Sequence, residues 1–165
     1  MRQFGLNKVF SRLWGKDQGG DYNLDGVSKC ILVVDDSPTA ILILKKILEE
    51  SDYTILVARD ALSAIDIAKK KNPDLILMDI VMPGMNGFEA TRVLTKEPIT
   101  SDIPVVIVSG TNQPSDKVWG AKLGAKGFLT KPVNKKALLN IISLIFTTQN
   151  LNAAVAEATQ QNPPV

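Results

Sequence analysis

CILVVDDSPTAILILKKIL, residues 30–48, changes its periodicity halfway along. Cys30 to Val34 is a continuous apolar run rich in β-branched side chains, the pattern of a strand covered on both faces. Asp35 and Asp36 end it. Ser37 then offers an N-cap hydroxyl, and Pro38 fits the first helical turn, where its missing N–H has no partner to lose. Ile41, Leu44 and Leu48 follow at helical spacing and mark an inward face. A buried strand running into a capped amphipathic helix, with acids at the junction, is the repeating unit of an α/β fold.

Four more short apolar runs extend the pattern: TILVA (54–58), LILM (75–78), PVVIV (104–108) and KGFL (126–129). All five read as buried strands. Asp60 caps a second helix with Ala61, Ala64, Ile65 and Ala68 on one side, and the last helix repeats the period with Leu138, Ile141, Ile142 and Ile145. Strand and helix alternate five times, which predicts a doubly wound five-stranded parallel sheet with helices on both faces and right-handed crossovers. Gly84 and Gly87 read as turn residues needing unusual φ. Neither opens a phosphate-cradling loop, because no Gly-Lys-Ser or Gly-Lys-Thr follows.

At 165 residues and 45% hydrophobic content the chain has room for one core with short extensions. Nineteen basic against 17 acidic residues leave a charge of +2, too weak a field to argue for nucleic acid or an anionic membrane. The absence of histidine removes imidazole bases, Ser-His-Asp catalysis and histidine-ligated metals. Cys30 has no intramolecular disulfide partner and reads as a small core residue, consistent with a reducing, cytoplasmic setting. The apolar runs are too short for a transmembrane segment, which needs roughly 18 residues, and no secretory signal is expected.

Residues 1–16 carry Arg2, Lys8, Arg12 and Lys16 with an apolar stripe of Leu6, Val9, Phe10 and Leu13, and Trp14 beside it, which predicts a basic amphipathic helix. Residues 17–28 read as a flexible linker, 29–147 as the folded domain and 148–165 as a disordered tail. The N-terminal helix is read as docking on a protein, with Phe10 and Trp14 as anchors.

The chemistry lies at the strand ends, where ligands bind in open α/β sheets. Asp35 and Asp36 follow the first strand, Asp79 the third, Ser109 the fourth and Lys131 the fifth. With strand order 2-1-3-4-5 the first and third strands are neighbours, and three carboxylates converge. Like charges so close would force protonation unless a cation neutralises them, and all-oxygen ligands with space for water suit a loosely held Mg²⁺. A metal, a carboxylate nucleophile, a hydroxyl and an ammonium are the parts of phosphoryl transfer. Asp79 stands alone at the end of the central strand and is the candidate acceptor; Asp35 and Asp36 form a pair suited to the ion.

VVDDS (33–37), LMDIVMPGMNG (77–87), VIVSG (106–110) and GAKGFLTKP (124–132) resemble the receiver (CheY-like) domain of two-component response regulators. The spacings of 43 residues from Asp36 to Asp79, 30 to Ser109 and 22 to Lys131 suit that family. The resemblance covers residues 29–147 and implies a flavodoxin-like (β/α)5 fold. It further implies that Asp79 accepts phosphate from a histidine kinase or a small phosphodonor. Asp35, Asp36, Asp79 and the backbone carbonyl of Val81 would hold Mg²⁺. Ser109 would bond the phosphoryl group, Lys131 would pair with it, and the Lys131-Pro132 bond would be cis. Phe128 would turn inward as Ser109 moves, and the face built from the fourth helix, fifth strand and last helix would be repositioned for a downstream protein target.

Two departures from the family pattern stand out. Phe128 lacks the phenolic hydroxyl often found there, which implies a softer switch. Apolar Val81 cannot orient a hydrolytic water, which implies slow self-dephosphorylation, and Thr111 likewise flanks the site at a variable position. Trp119 on the fourth helix is a candidate partner anchor, with packing on Leu123 as its alternative. The stretch 116–133 is similar to single-domain regulators of twitching and chemotaxis-like pathways, and no DNA-binding module is expected. The rival readings are a Mg²⁺-dependent phosphohydrolase with an aspartyl-phosphate intermediate, disfavoured because Val81 stands where a second catalytic Asp belongs, a degenerate scaffold, and a phosphate sink without output.

Overall fold

The computed structural model describes residues 28–161. The expected helix over 1–16, with Phe10 and Trp14, and all of the 17–28 linker except Ser28 lie outside the described residues. In chain order the elements are β1 (Cys30–Val34), α1 (Pro38–Glu49), β2 (Thr54–Ala58), α2 (Ala61–Lys71), β3 (Leu75–Asp79), α3 (Gly87–Lys96), β4 (Val105–Ser109), α4 (Pro114–Lys122), β5 (Gly127–Thr130) and α5 (Lys135–Gln161). The strands form one parallel sheet in the order β2-β1-β3-β4-β5.

Strand side chains alternate between the two faces, so each face has its own core. Ile31, Val33, Leu75, Leu77, Val106 and Val108 pack against Ile41, Leu44 and Leu48 of α1 and Leu138, Ile142 and Ile145 of α5. Leu32, Val34, Ile76 and Met78 point the other way, toward Ala61, Ala64 and Ala68 of α2 and Ala90 and Leu94 of α3. Each fully buried Leu or Ile contributes about 1.5–3 kcal/mol. The caps hold as their residue types predict. Ser37 Oγ accepts from the Ala40 amide at 3.3 Å, and Asp60 Oδ1 accepts from Ser63 at 2.8 Å. Asn86 and Glu89 form a reciprocal capping box at the start of α3.

Four expectations need correction. The five strands are not equally buried: β3 and β4 are covered along their whole length, whereas β2 and β5 are half-exposed, because they are the sheet edges and have a neighbour on one side only. The tail expected from residue 148 onward instead continues α5 as far as Gln161. Its Ala and Gln residues are good helix formers, no Gly or Pro intervenes before Pro163, and the turns docked on the sheet have already supplied the costly nucleus. As one helix, α5 also reaches the length and apolar content that a membrane span needs, which the separate runs did not. Its Leu138, Ile142, Ile145 and Phe146 are nevertheless committed to the sheet core. Finally, Gly84 has the expected positive φ of 77°, but Gly87 does not; its role is close approach.

Candidate functional site

The parallel register brings the residues expected at the strand ends to one edge. Val34 of β1 is paired with Met78 of β3, so Asp35, the next residue, comes level with Asp79. Asp79 is paired with Val108 of β4, and Ser109 with Thr130 of β5, one residue before Lys131. Carboxylate oxygens of Asp35, Asp36 and Asp79 lie within 4.8 Å of one another. Asp35 and Asp79 are buried, at 1% and 4% exposure, while Asp36 is open to solvent.

Backbone packing fixes the position of Asp79. A Cβ on Gly87 would stand 1.9 Å from the Asp79 carbonyl oxygen, so the first turn of α3 can close onto the end of β3 only with glycine there. The Gly87 amide also donates to the Ile80 carbonyl at 2.9 Å. Asp35 is held by the Ser37 amide, which donates to its Oδ1 at 2.9 Å. Lys131 spans the cluster, with its Nζ 2.5 Å from Asp35 Oδ2 and 3.1 Å from Asp79 Oδ1. Its own amide donates to the Ser109 carbonyl at 2.7 Å, and the Lys131-Pro132 bond is cis, as the family resemblance implied.

The electrostatics are unbalanced. Burial pushes the Asp79 carboxyl above the usual aspartate range, and the bond from Lys131 offsets this only in part, with the neighbouring Asp35 charge adding to the rise. Burial alone would lower Lys131, but its bonds to Asp35 and Asp79 outweigh that and raise it. One ammonium thus serves two buried acids and sits closer to Asp35, leaving Asp79 the less neutralised. A cluster of carboxylate oxygens with this surplus of negative charge fits a hard divalent cation.

Ser109 is buried at the end of β4, and its hydroxyl is already engaged. Thr111 Oγ1 lies 3.2 Å from Ser109 Oγ, the Thr111 amide donates to Ser109 Oγ at 3.1 Å, and the Thr111 hydroxyl donates to Asp116 on the first turn of α4. The role of Asp116, and of Gly87 as a spacer, was not read from the sequence. For Thr111 the sequence signals only its position two residues past Ser109. Val81 lies in the loop two residues beyond Asp79 and is 72% exposed. Phe128 is half-buried on β5, and the Lys117 ammonium is 5.9 Å from its ring centre. Trp119 on α4 is 52% exposed and follows Val118, which is exposed as well.

Known proteins carry the same fold and sequence pattern. Residues 31–143 match the response regulator receiver domain. Protein PilH of Pseudomonas aeruginosa is 49% identical over 115 residues, covering 70% of this chain and 95% of PilH. The response regulator PleD of Caulobacter vibrioides is 39% identical over 108 residues, covering 66% of this chain but only 24% of PleD. Among solved structures, the chemotaxis protein CheY4 of Vibrio cholerae superposes with a TM-score of 0.67 at 29% identity, over 71% of this chain and 98% of CheY4. With its fold, its strand-end acids and its sequence all in agreement, the chain belongs to the response regulator receiver family.

Proposed function

We propose that this chain is a phosphorylation-dependent signalling switch in which Asp79 is the phosphoacceptor. The observation that carries the reading is the convergence of Asp35, Asp36 and Asp79 under Lys131 at the C-terminal edge of the sheet. An Asp79 carboxylate oxygen attacks the phosphorus of a phosphodonor such as a phosphohistidine of a histidine kinase. The P–O bond to Asp79 forms as the bond to the leaving imidazole breaks, and the imidazole takes its proton from solvent. Asp35, Asp36, Asp79 and the Val81 carbonyl would hold Mg²⁺. When bound, the ion neutralises charge on the phosphoryl oxygens. Lys131 pairs with the new phosphate, and the Ser109 hydroxyl donates to it. Phosphorylation adds about 1.5–2 negative charges, so both residues are drawn toward Asp79, and Phe128 follows Ser109.

The output is a changed surface on α4, β5 and α5, read by a downstream protein. Val118 and Trp119 on α4 and Leu144 on α5 are exposed apolar side chains of the kind that anchor such contacts. The N-terminal segment with Phe10 and Trp14 is a second docking element, and the setting is cytoplasmic. The chain signals by modification and does not turn over a substrate.

The test is incubation with Mg²⁺ and acetyl phosphate, with intact mass read for wild type and Asp79→Asn. Metal-dependent gain of one phosphoryl group, absent from the variant, is expected. Labelling that persists in Asp79→Asn, or sustained phosphate release without a labelled protein, overturns the assignment.

A further inference from the structure

We infer that Thr111 and Asp116 form a latch that holds Ser109 away from the phosphoryl position, so that these two positioning residues set how readily the switch turns on. The inference rests on Asp79 being the phosphoacceptor and on Ser109 serving its phosphate.

Hydrogen counting gives the chain a direction. A carboxylate only accepts, so the single Thr111 hydroxyl hydrogen goes to Asp116 Oδ2. The 3.2 Å contact between Ser109 Oγ and Thr111 Oγ1 must then be filled by the Ser109 hydrogen. The Thr111 amide occupies a lone pair of Ser109 Oγ at 3.1 Å, which fixes the rotor further. Ser109 has one hydrogen, and it is spent on Thr111. It cannot also be given to a phosphoryl oxygen on Asp79, so phosphorylation has to break the Ser109 to Thr111 bond.

The far end of the chain sits on a lightly anchored helix. Gln113 caps α4 without a side-chain hydrogen bond, and Gly120 is the only buried residue of α4. Asp116 is in its first turn, so the Thr111 bond ties the start of α4 to the loop that follows Ser109. Release of Ser109 gives up an acceptor that the Asp116 carboxylate orients, while the Thr111 to Asp116 bond still ties the loop to the start of α4. The same bonds that resist switching also connect the phosphorylation site to the helix carrying Trp119.

The experiment titrates Mg²⁺-beryllofluoride, a phosphoryl mimic, into full-length protein carrying Trp14→Phe, so that fluorescence reports Trp119 alone. Asp116→Ala and Thr111→Val should bind the mimic about five- to tenfold more tightly, the equivalent of one lost competing hydrogen bond. Thr111→Ser, which keeps the hydroxyl, should match wild type. Affinity for Mg²⁺ alone should be unchanged in all of them, because neither residue belongs to the acid cluster. Amide exchange over residues 112–117 in the free protein should speed up in Asp116→Ala. Equal or weaker binding of the mimic by both variants overturns the latch. Failure of wild type to respond at all would instead overturn the Asp79 reading, so the two failures are distinguishable.

Discussion

Gly87 and Asp79 meet at a distance that leaves no room for a side chain: a Cβ on Gly87 would lie 1.9 Å from the Asp79 carbonyl oxygen and 2.9 Å from the Ile80 Cα. Both obstacles are backbone, so neither can rotate aside. Gly87→Ala must push α3 away from β3 or displace the strand end that carries Asp79. The expected cost is about 2–3 kcal/mol, read as a lower urea midpoint with unchanged m-value. The Mg²⁺ affinity of the acid cluster should fall as well. Wild-type stability and metal binding in Gly87→Ala would contradict this account of the site.

A second prediction concerns pH. Burial holds the Asp79 carboxyl above its ordinary value despite Lys131. The folded state therefore keeps that proton to higher pH than the unfolded chain does. The contribution of this group is favourable at low pH and is lost as pH rises through the interval between its unfolded and folded values. At pH 7 in metal-free buffer, where the unfolded chain has lost this proton, Asp79 opposes folding. Asp79→Asn should consequently raise the urea midpoint at pH 7, and the gain should shrink as pH is lowered through the acid range. A gain that is constant from neutral to acid pH would show that charge at Asp79 is not its cause.

How much of this was legible beforehand differs from residue to residue. Ile31 to Val34 and Val105 to Val108 announced themselves because central parallel strands are apolar on both faces. The five strand-end residues Asp35, Asp36, Asp79, Ser109 and Lys131 could be gathered at one edge because strand order and parallel direction determine where every strand ends. Gly87 was misread because a glycine that serves backbone approach and one that serves positive φ look alike in a sequence. Asp116 was missed because its partner, Thr111, lies across a loop whose course no local pattern specifies. The polar continuation of α5 was misjudged because a helix needs no apolar face once its earlier turns are anchored.

Lys131 carries a third prediction. It is the only cation bonded to the buried Asp35 and Asp79 among the described residues, at 2.5 and 3.1 Å. Lys131→Met leaves two buried carboxylates uncompensated, which should cost about 3 kcal/mol in metal-free buffer. Because pairing raises Lys131 above the ordinary lysine range, its contribution is fully present at neutral pH and is lost as pH rises through that elevated value. Excess MgCl₂ should restore a large part of the lost stability by supplying a substitute cation, and urea melts with and without the metal would reveal it. If Mg²⁺ stabilises wild type and variant equally, the ion is not compensating for the missing ammonium.

The last prediction separates the two halves of α5. Leu138 and Ile142 are fully buried against the sheet, and Ile145 and Phe146 nearly so, whereas every residue from Thr147 to Gln160 is exposed. Stability should follow that division. Ile142→Ala removes buried methyl groups from a packed core and should cost about 3 kcal/mol. A chain ended after Thr148 loses only solvated helix and should change by less than about 0.5 kcal/mol, with far-UV helical signal falling in proportion to the residues removed. Urea melts of the two variants side by side provide the check. A truncated chain destabilised as much as Ile142→Ala would mean that the outer turns of α5 rest on part of the folded protein and are not a free extension of it.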